Sequence, residues 1–487
     1  MRMEFMSKHL TGDTKFTAQV KILIDKIYGR SPLKDSVLER AIAFYDLEHF
    51  SQRKLTKLQQ DIKYLTETAS TKSKFKIEKL ESEQREYLQE LRFERHHRAQ
   101  HLQSICREII ELCEGDNFTE TNRKSAQLLG TIQLLAPTEG SKVAAVNERS
   151  KPLYKSILAL RLLDEVCVKK LLPNRYLEQE LAELSTFNYK ELRIESEAAY
   201  RKFVDNIKVP VLMAAILQDI GNYHPDAQQI MYGVDGKQDC YRTLNVEERK
   251  SLLQINYRET LKYLLNGIGI SMYLGNSKTE RDIFNKVETN KLRFVKELLK
   301  SSVNPKLGIG NLLKIPQIYT SIVLSTKASY NYKLLPKVYQ ALYQNAERGS
   351  CSRAIVDALY QITGDFPQGF GVIYIPADVE QEVRYEYAIV NQLYPTNVSE
   401  PKCRMATRSL TFIGYGHDLV VKKTSNLYFV ETAKAFSSIS KERLNEILEL
   451  LSSNYLERKK LDLLPRCWQP GEYFSMKTNQ KLWNRSR

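Results

Sequence analysis

From about Phe50 to Cys113 the chain contains neither proline nor glycine and is rich in Lys, Glu, Gln and Leu. Nothing there removes a backbone donor or loosens the backbone, so a long helix is expected over 50–113. Leu55, Leu58, Ile62 and Leu65 recur at three-four spacing, and Leu102, Ile105, Ile109 and Leu112 repeat it after a polar middle, "TETASTKSK". Apolar stripes of this kind seek a partner. A helical hairpin or short coiled coil is the structural reading, and a homodimer or a protein partner held through these N-terminal helices is the functional one; the weak middle argues against a perfect heptad seam. The stretch "LLAPTEGSKVAAVNERSKP" then reads as the linker closing an N-terminal helical domain, residues 1–150.

Residues 151–368 read as a second helical domain, since "YKSILALRLLDEVCVKKLL", "KVPVLMAAILQDIG", "VEERKSLLQINYRETLKYLLNGIG" and "SRAIVDALYQIT" carry apolar residues at helical spacing. Gly and Pro fall between them, which predicts a bundle. After "GDFPQGFG" the pattern alternates in "VIYIP", "RYEYAIVNQLYP" and "DLVVKKTSNLYFV", predicting a small antiparallel sheet in residues 369–487. "SKERLNEILELLSSNYLERKK" opens like a capped helix, and the tail brings Trp468 and Trp483, rings expected to dock it on the domain. The fold class is mainly α with a small C-terminal antiparallel β element.

At 487 residues the chain is long enough for two or three domains. Its net charge of +15 favours an acidic partner. No Lys/Arg block is interleaved with aromatics, however, so nucleic acid is not the expected partner. Seven cysteines without a C-x-x-C pair argue against a zinc ribbon or a disulfide framework and point to a reducing compartment. The N-terminus lacks an apolar core segment, and the longest apolar run, "VPVLMAAIL", is too short to cross a bilayer. A cytoplasmic protein without a membrane span is the expectation.

The most informative line is "AAILQDIGNYHPDAQQIMYG", followed by "LNVEERKSLLQI". With Asp219, Ile220 and Gly221 after an apolar helix, Pro225 and Asp226 in a turn, and Leu244, Glu247 and Glu248 before the next helix, it resembles the HD-GYP branch of the HD phosphohydrolases. "LLKIPQIYTSIVLS", "YNYKLLPKVYQALYQNA" and "VDALYQITGDFPQGFGVIYIP" are similar to that family's later segments, in the same order, so the resemblance spans roughly residues 155–400. It implies an HD-domain-like helical bundle and, in an intact member, metal-dependent hydrolysis of cyclic di-GMP.

That chemistry needs imidazoles and carboxylates converging on metal ions that deprotonate a water. Here Gln218 stands in the place of the family's histidine, so Gln218 and Asp219 form a vestigial pair. Gln254 or Asn256 takes the place of a second ligand histidine, and Thr320 or Ser321 that of an aspartate. Of seven histidines only His224 and His417 lie beyond residue 101, too few for a multi-histidine cage. His224 reads as a surface or turn residue, and Asp219 as a cap for its own turn. In "ERHHRAQH", His97 and His101 are four apart, but Arg95 and Arg98 repel a cation, so a solvated basic helix face is the reading. No phosphate-cradling glycine loop appears, and neither a catalytic residue, a metal ligand nor a cofactor is assigned. For a cyclic dinucleotide, the resemblance points to Tyr332 and Lys333 as the stacking and phosphate contacts. Three functions follow: a degenerate HD-GYP-like signalling or scaffolding module, an active cyclic di-GMP phosphodiesterase, or a helical adaptor without a nucleotide ligand.

Overall fold

The computed structural model describes residues 12–30, 33–68, 73–377, 383–414, 416–436, 439–452, 458–459 and 461–481. In chain order the helices are α1 (Lys15–Tyr28), α2 (Val37–Glu67), α3 (Ser73–Cys113), α4 (Phe118–Leu135), α5 (Val143–Lys169), α6 (Arg175–Ala182), α7 (Leu192–Glu195), α8 (Glu197–Phe203), α9 (Val209–Leu217), α10 (Pro225–Tyr232), α11 (Val246–Lys262), α12 (Lys278–Ser301), α13 (Asn311–Val323), α14 (Val338–Glu347), α15 (Arg353–Thr363), α16 (Val430–Phe436) and α17 (Lys441–Leu451). The fold is mainly helical, with a small antiparallel sheet near the C-terminus. Among the described residues no helix is long and apolar enough to cross a membrane.

Two compact units share the chain, each drawn from separated segments. The first takes Met1–Ile24, Glu108–Val204 and Ser301–Arg487, and the second Asp25–Arg107 and Asp205–Lys300. Expected boundaries near 150 and 368 both lie within the first unit. There is no linker at 150, because α5 starts at Val143 and runs on through Pro152, leaving only residues 136–142 as a turn after α4.

In the first unit α5 is the central helix, packed against α4, α13 and α15. Every residue from Pro152 to Cys167 is buried. Each fully buried leucine in that run contributes about 2 kcal/mol, but Lys155, Arg161, Asp164 and Glu165 are buried with them. Such charges persist only if paired. Arg161, 0% exposed, reaches Glu114 at 2.6 Å and Asp164 at 3.1 Å through Nη2. Tyr200 donates to the second oxygen of Glu114 at 2.7 Å, and Tyr189 donates to Asp164 at 2.9 Å. Burial disfavours the charge on Arg161, yet the carboxylates of Asp164 and Glu114 outweigh it and hold the guanidinium protonated. Burial, followed by those same carboxylates, raises the phenols of Tyr189 and Tyr200 far above their ordinary range.

The sheet of this unit has strand order β6-β3-β2-β1-β7, with β1 (Gly371–Tyr374), β2 (Glu386–Val390), β3 (Lys402–Met405), β6 (Asp418–Val420) and β7 (Cys467–Trp468); β4 (Thr407–Arg408) and β5 (Thr411–Phe412) pair separately. Successive residues of a strand face opposite ways. Ile373, Tyr387 and Ile389 accordingly join Leu134, Ile447 and Trp468 in one cluster, while Val372, Tyr374, Ala388 and Val390 join Tyr332, Phe366 and Phe370 in another. Both faces of β1 and β2 are thus covered. Trp468 docks as its size suggests, stacked on Tyr387 at 4.7 Å with Nε1 donating to the Ala388 carbonyl at 2.9 Å. Trp483 lies outside the described residues. Ser440 caps α17, its hydroxyl accepting from the Arg443 N–H.

In the second unit the long helix expected over 50–113 is two helices. Polar "TETASTKSK" is where α2 stops and α3 begins, although residues 69–72 within it lie outside the described ones. The helical hairpin reading therefore holds. Leu55, Leu58, Ile62 and Leu65 of α2 and Ile77, Leu80, Tyr87 and Leu91 of α3 are among the less exposed positions of the two arms. Tyr87 bonds Ser51 at 2.9 Å and carries the Lys54 ammonium 4.1 Å from its ring centre.

Replacing Arg161 by Met leaves Glu114 and Asp164 buried without their cation, and a loss of about 3–5 kcal/mol is expected in urea unfolding of the full chain. Arg201→Ala, which breaks an ion pair with Glu197 that is exposed on both sides, is expected to lose under about 1 kcal/mol in the same measurement.

Candidate functional site

α9 is apolar on all sides and buried from Val209 to Leu217, with Pro210 as its second residue, just past the π-helical turn Val204–Lys208. Gln218 and Asp219 follow at its C-terminal end, Gln218 only 7% exposed. The chain then turns through a short 3-10 segment, Ile220–Tyr223, against α11. Contact there is so close that a Cβ on residue 221 would stand 2.3 Å from the carbonyl oxygen of Asn256. Only glycine fits.

A relay of neutral hydrogen bonds fixes this turn to α11. The Gly221 N–H donates to Thr260 Oγ1 at 3.0 Å, that hydroxyl donates to Asn256 Oδ1 at 3.3 Å, and Asn256 Nδ2 donates to the Gln218 carbonyl at 3.3 Å. Asn256 and Thr260 stand four apart and so share one face of α11. Of the two positions suggested for a second ligand histidine, Asn256 faces the turn and Gln254 is exposed. Asp219 does not cap the turn as expected: its side chain makes no cap hydrogen bond, and Thr260 serves the segment's N–H instead.

His224 is a turn residue, as expected, but a buried one. It caps α10, Nδ1 accepting from the Asp226 N–H at 3.2 Å, and its ring meets Tyr45 edge-on at 5.3 Å. Nε2 stands 3.8 Å from a carboxylate oxygen of Glu259. Glu259 is itself engaged by Arg258 at 2.6 Å, and Lys262 pairs with Glu48 at 2.6 Å. Tyr45 donates to the Glu259 carbonyl at 3.2 Å; burial, with Tyr263, Glu259 and Glu48 adding to it, holds that phenol protonated.

These groups do not fit a catalytic metal pair. Beside Asp219 the turn offers amides and one hydroxyl, His224 spends one nitrogen on its cap, and the nearby carboxylates are taken by cations. Among the described residues no three His, Cys, Asp or Glu side chains could hold a metal ion.

"ERHHRAQH" is also more than a solvated face. Arg98 Nε donates to the Gly267 carbonyl at 2.8 Å and Arg95 Nε to Ile268 at 3.3 Å, while His96, buried, accepts from the Met272 N–H. These cations meet the unpaired carbonyls ending the π-helical turn Tyr263–Ile268, where the helix dipole favours positive charge. His97 is exposed.

Tyr332 and Lys333 belong to the first unit and part at the surface. Tyr332 is buried, stacked on Phe370 at 4.8 Å, its hydroxyl accepting from the Gly371 N–H at 2.8 Å. Its ring faces are taken. Lys333 is exposed, its ammonium 3.9 Å from Asp462. Thr320 is buried in α13 and Ser321 is exposed.

Thr260→Val deprives the buried Gly221 N–H of its acceptor, and urea unfolding is expected to report a loss of about 1–3 kcal/mol. A second expectation concerns the start of α11, where Asn245 and Glu248 form a capping box and Arg242 grips Glu248 with two bonds. The Arg242 guanidinium, then the Asn245 N–H, hold the Glu248 carboxyl down at about 2 against an ordinary 4.5. Because the folded value is the lower one, its contribution is full above about pH 4.5 and disappears as pH falls through about 2. A carboxyl carbon NMR titration should show that midpoint, with the first-turn amides of α11 losing exchange protection alongside it.

No family model, no curated protein and no solved structure matches this chain.

Proposed function

We propose that this chain is a catalytically silent relative of the HD-GYP phosphohydrolases, a signalling or scaffolding module that binds a cyclic dinucleotide without hydrolysing it. The observation that supports this reading most is the relay from Gly221 through Thr260 and Asn256 to Gln218. Hydrolysing a phosphodiester near neutral pH requires a water whose pKa has been lowered, and two metal ions do this when imidazoles and carboxylates hold them. Where the resemblance places two of those imidazoles, the chain has Gln218 and either Gln254 or Asn256; Gln218 gives its backbone carbonyl, and Asn256 its side-chain amide, to fastening the turn to α11. The Asn256 amide, holding the backbone of the turn and accepting from Thr260, is committed to structure rather than to a ligand.

A second reading, a helical adaptor, draws on the hairpin arms. Phe50, Tyr64 and Phe75 are 64%, 66% and 77% exposed there, and large rings left in water on an otherwise charged hairpin suit a protein partner or a second copy.

One experiment separates the readings. Purified full-length chain is incubated with cyclic di-GMP and manganese or ferrous iron, and the same ligand is titrated into it by calorimetry. No metal-stimulated hydrolysis is expected, together with a binding heat. Robust turnover would restore the active phosphodiesterase, and silence in both assays would favour the adaptor.

A further inference from the structure

The fold gathers at one place cations that the sequence keeps apart. Tyr332, Val421 and Cys467 are buried in a single cluster with Phe366 and Phe370. Each has an exposed cation as its chain neighbour: Lys333 after Tyr332, Lys422 after Val421 and Arg466 before Cys467. Consecutive Cα atoms are about 3.8 Å apart, so burying three such anchors together brings three cations to the rim of the same cluster.

Two rings complete the patch. Tyr428 and Phe429 pack on this cluster yet stay half-buried, 6.0 Å apart and nearly perpendicular. Tyr428 Oη donates to the Lys333 carbonyl at 3.0 Å, which ties the ring to that lysine's backbone. A fourth cation, Lys423, stands with its ammonium 5.3 Å from the centre of the Phe429 ring. Of the nearby carboxylates, Asp365 beside Tyr428 accepts from Tyr360 and Ser399, Glu400 accepts from the Lys423 N–H at 3.2 Å, and Asp462 meets Lys333 at 3.9 Å with both side chains more than half exposed. An exposed pair of that length is weak and easily displaced by a phosphate.

We propose that this rim binds single-stranded nucleic acid, Lys333, Lys422, Lys423 and Arg466 taking phosphates while Tyr428 and Phe429 take unpaired bases. Cations spread around part-exposed rings match a chain of phosphates at several points, whereas a mononucleotide would use one or two. Rings of this kind serve bases only when those bases are unpaired. The excess of 15 positive charges over the chain works in the same direction at longer range.

The test uses the full chain and a fluorescein-labelled U20 strand, with anisotropy read between 50 and 200 mM salt. Three or four phosphate contacts predict a slope of log affinity against log salt of about −2 to −3, from about −0.7 per contact on a single strand. Lys422→Glu combined with Arg466→Glu, both on exposed side chains, is expected to weaken binding at least tenfold and to flatten that slope. Tyr428→Leu is expected to weaken binding with the slope unchanged. If it does not fold, the charge-reversed variant carries the test alone. Unchanged affinity in the charge-reversed variant, or equal binding of a duplex of the same length, would overturn the proposal. So would displacement of the strand by equimolar cyclic di-GMP, which would assign the patch to the dinucleotide.

Discussion

Burying α5 on every side is possible only because its charges are cancelled where they stand. Arg161 is the pivot: its guanidinium holds Glu114, just past α3, and Asp164, one turn further along its own helix, while Tyr200 and Tyr189 close the remaining oxygens. An isolated buried charge costs several kcal/mol, and breaking such a set by removing one member leaves that cost uncompensated. The network therefore specifies more than it stabilises. It fixes which turn of α5 faces the end of α3 and the segments carrying Tyr189 and Tyr200, and α4, α13 and α15 pack around a helix whose rotation is already set.

The same economy of polar groups governs the turn after α9, on a smaller scale. An apolar helix ends in the interior, so the polar groups of its last residues and of the following turn must be satisfied without water. Asn256 and Thr260 do this with two side chains one helical turn apart, and Gly221 permits the approach. A metal ion placed there would have to break these hydrogen bonds.

Much of this was legible in the sequence. Three-four spacing located α5, α9, α11 and α15, alternation located the sheet, and the Ser440 cap was visible as a Ser ahead of an apolar-periodic run. The hairpin was foreseen, but "TETASTKSK" carries no glycine or proline, so local propensity alone did not mark where α2 ends at Glu67. The linker at 150 failed for the opposite reason. Pro152 and the small polar residues around it look like a boundary, whereas packing draws them into a helix that tolerates one missing N–H. Gln218 and Asp219 could be singled out by resemblance, yet the partners that give the turn its structure, Thr260 and Asn256, lie some forty residues away and carry no local mark. Likewise, Arg95 and Arg98 read as solvated charge because their carbonyl acceptors are remote in sequence.

One feature of the sheet bears on how the chain is made. β1 lies between β2 and β7, and β7 is contributed by Cys467 and Trp468, near the C-terminus. During synthesis β1 and β2 can pair as soon as both have emerged, but on the other side of β1 the groups of Ile373 and Ile375 wait for residues 425–427, and those of Gly371 and Val372 wait for Cys467 and Trp468. An apolar strand with an open side is a template for pairing with other chains. In the nascent protein this interval is the window of greatest risk of aggregation, and it ends only when Trp468 lays its ring on Tyr387.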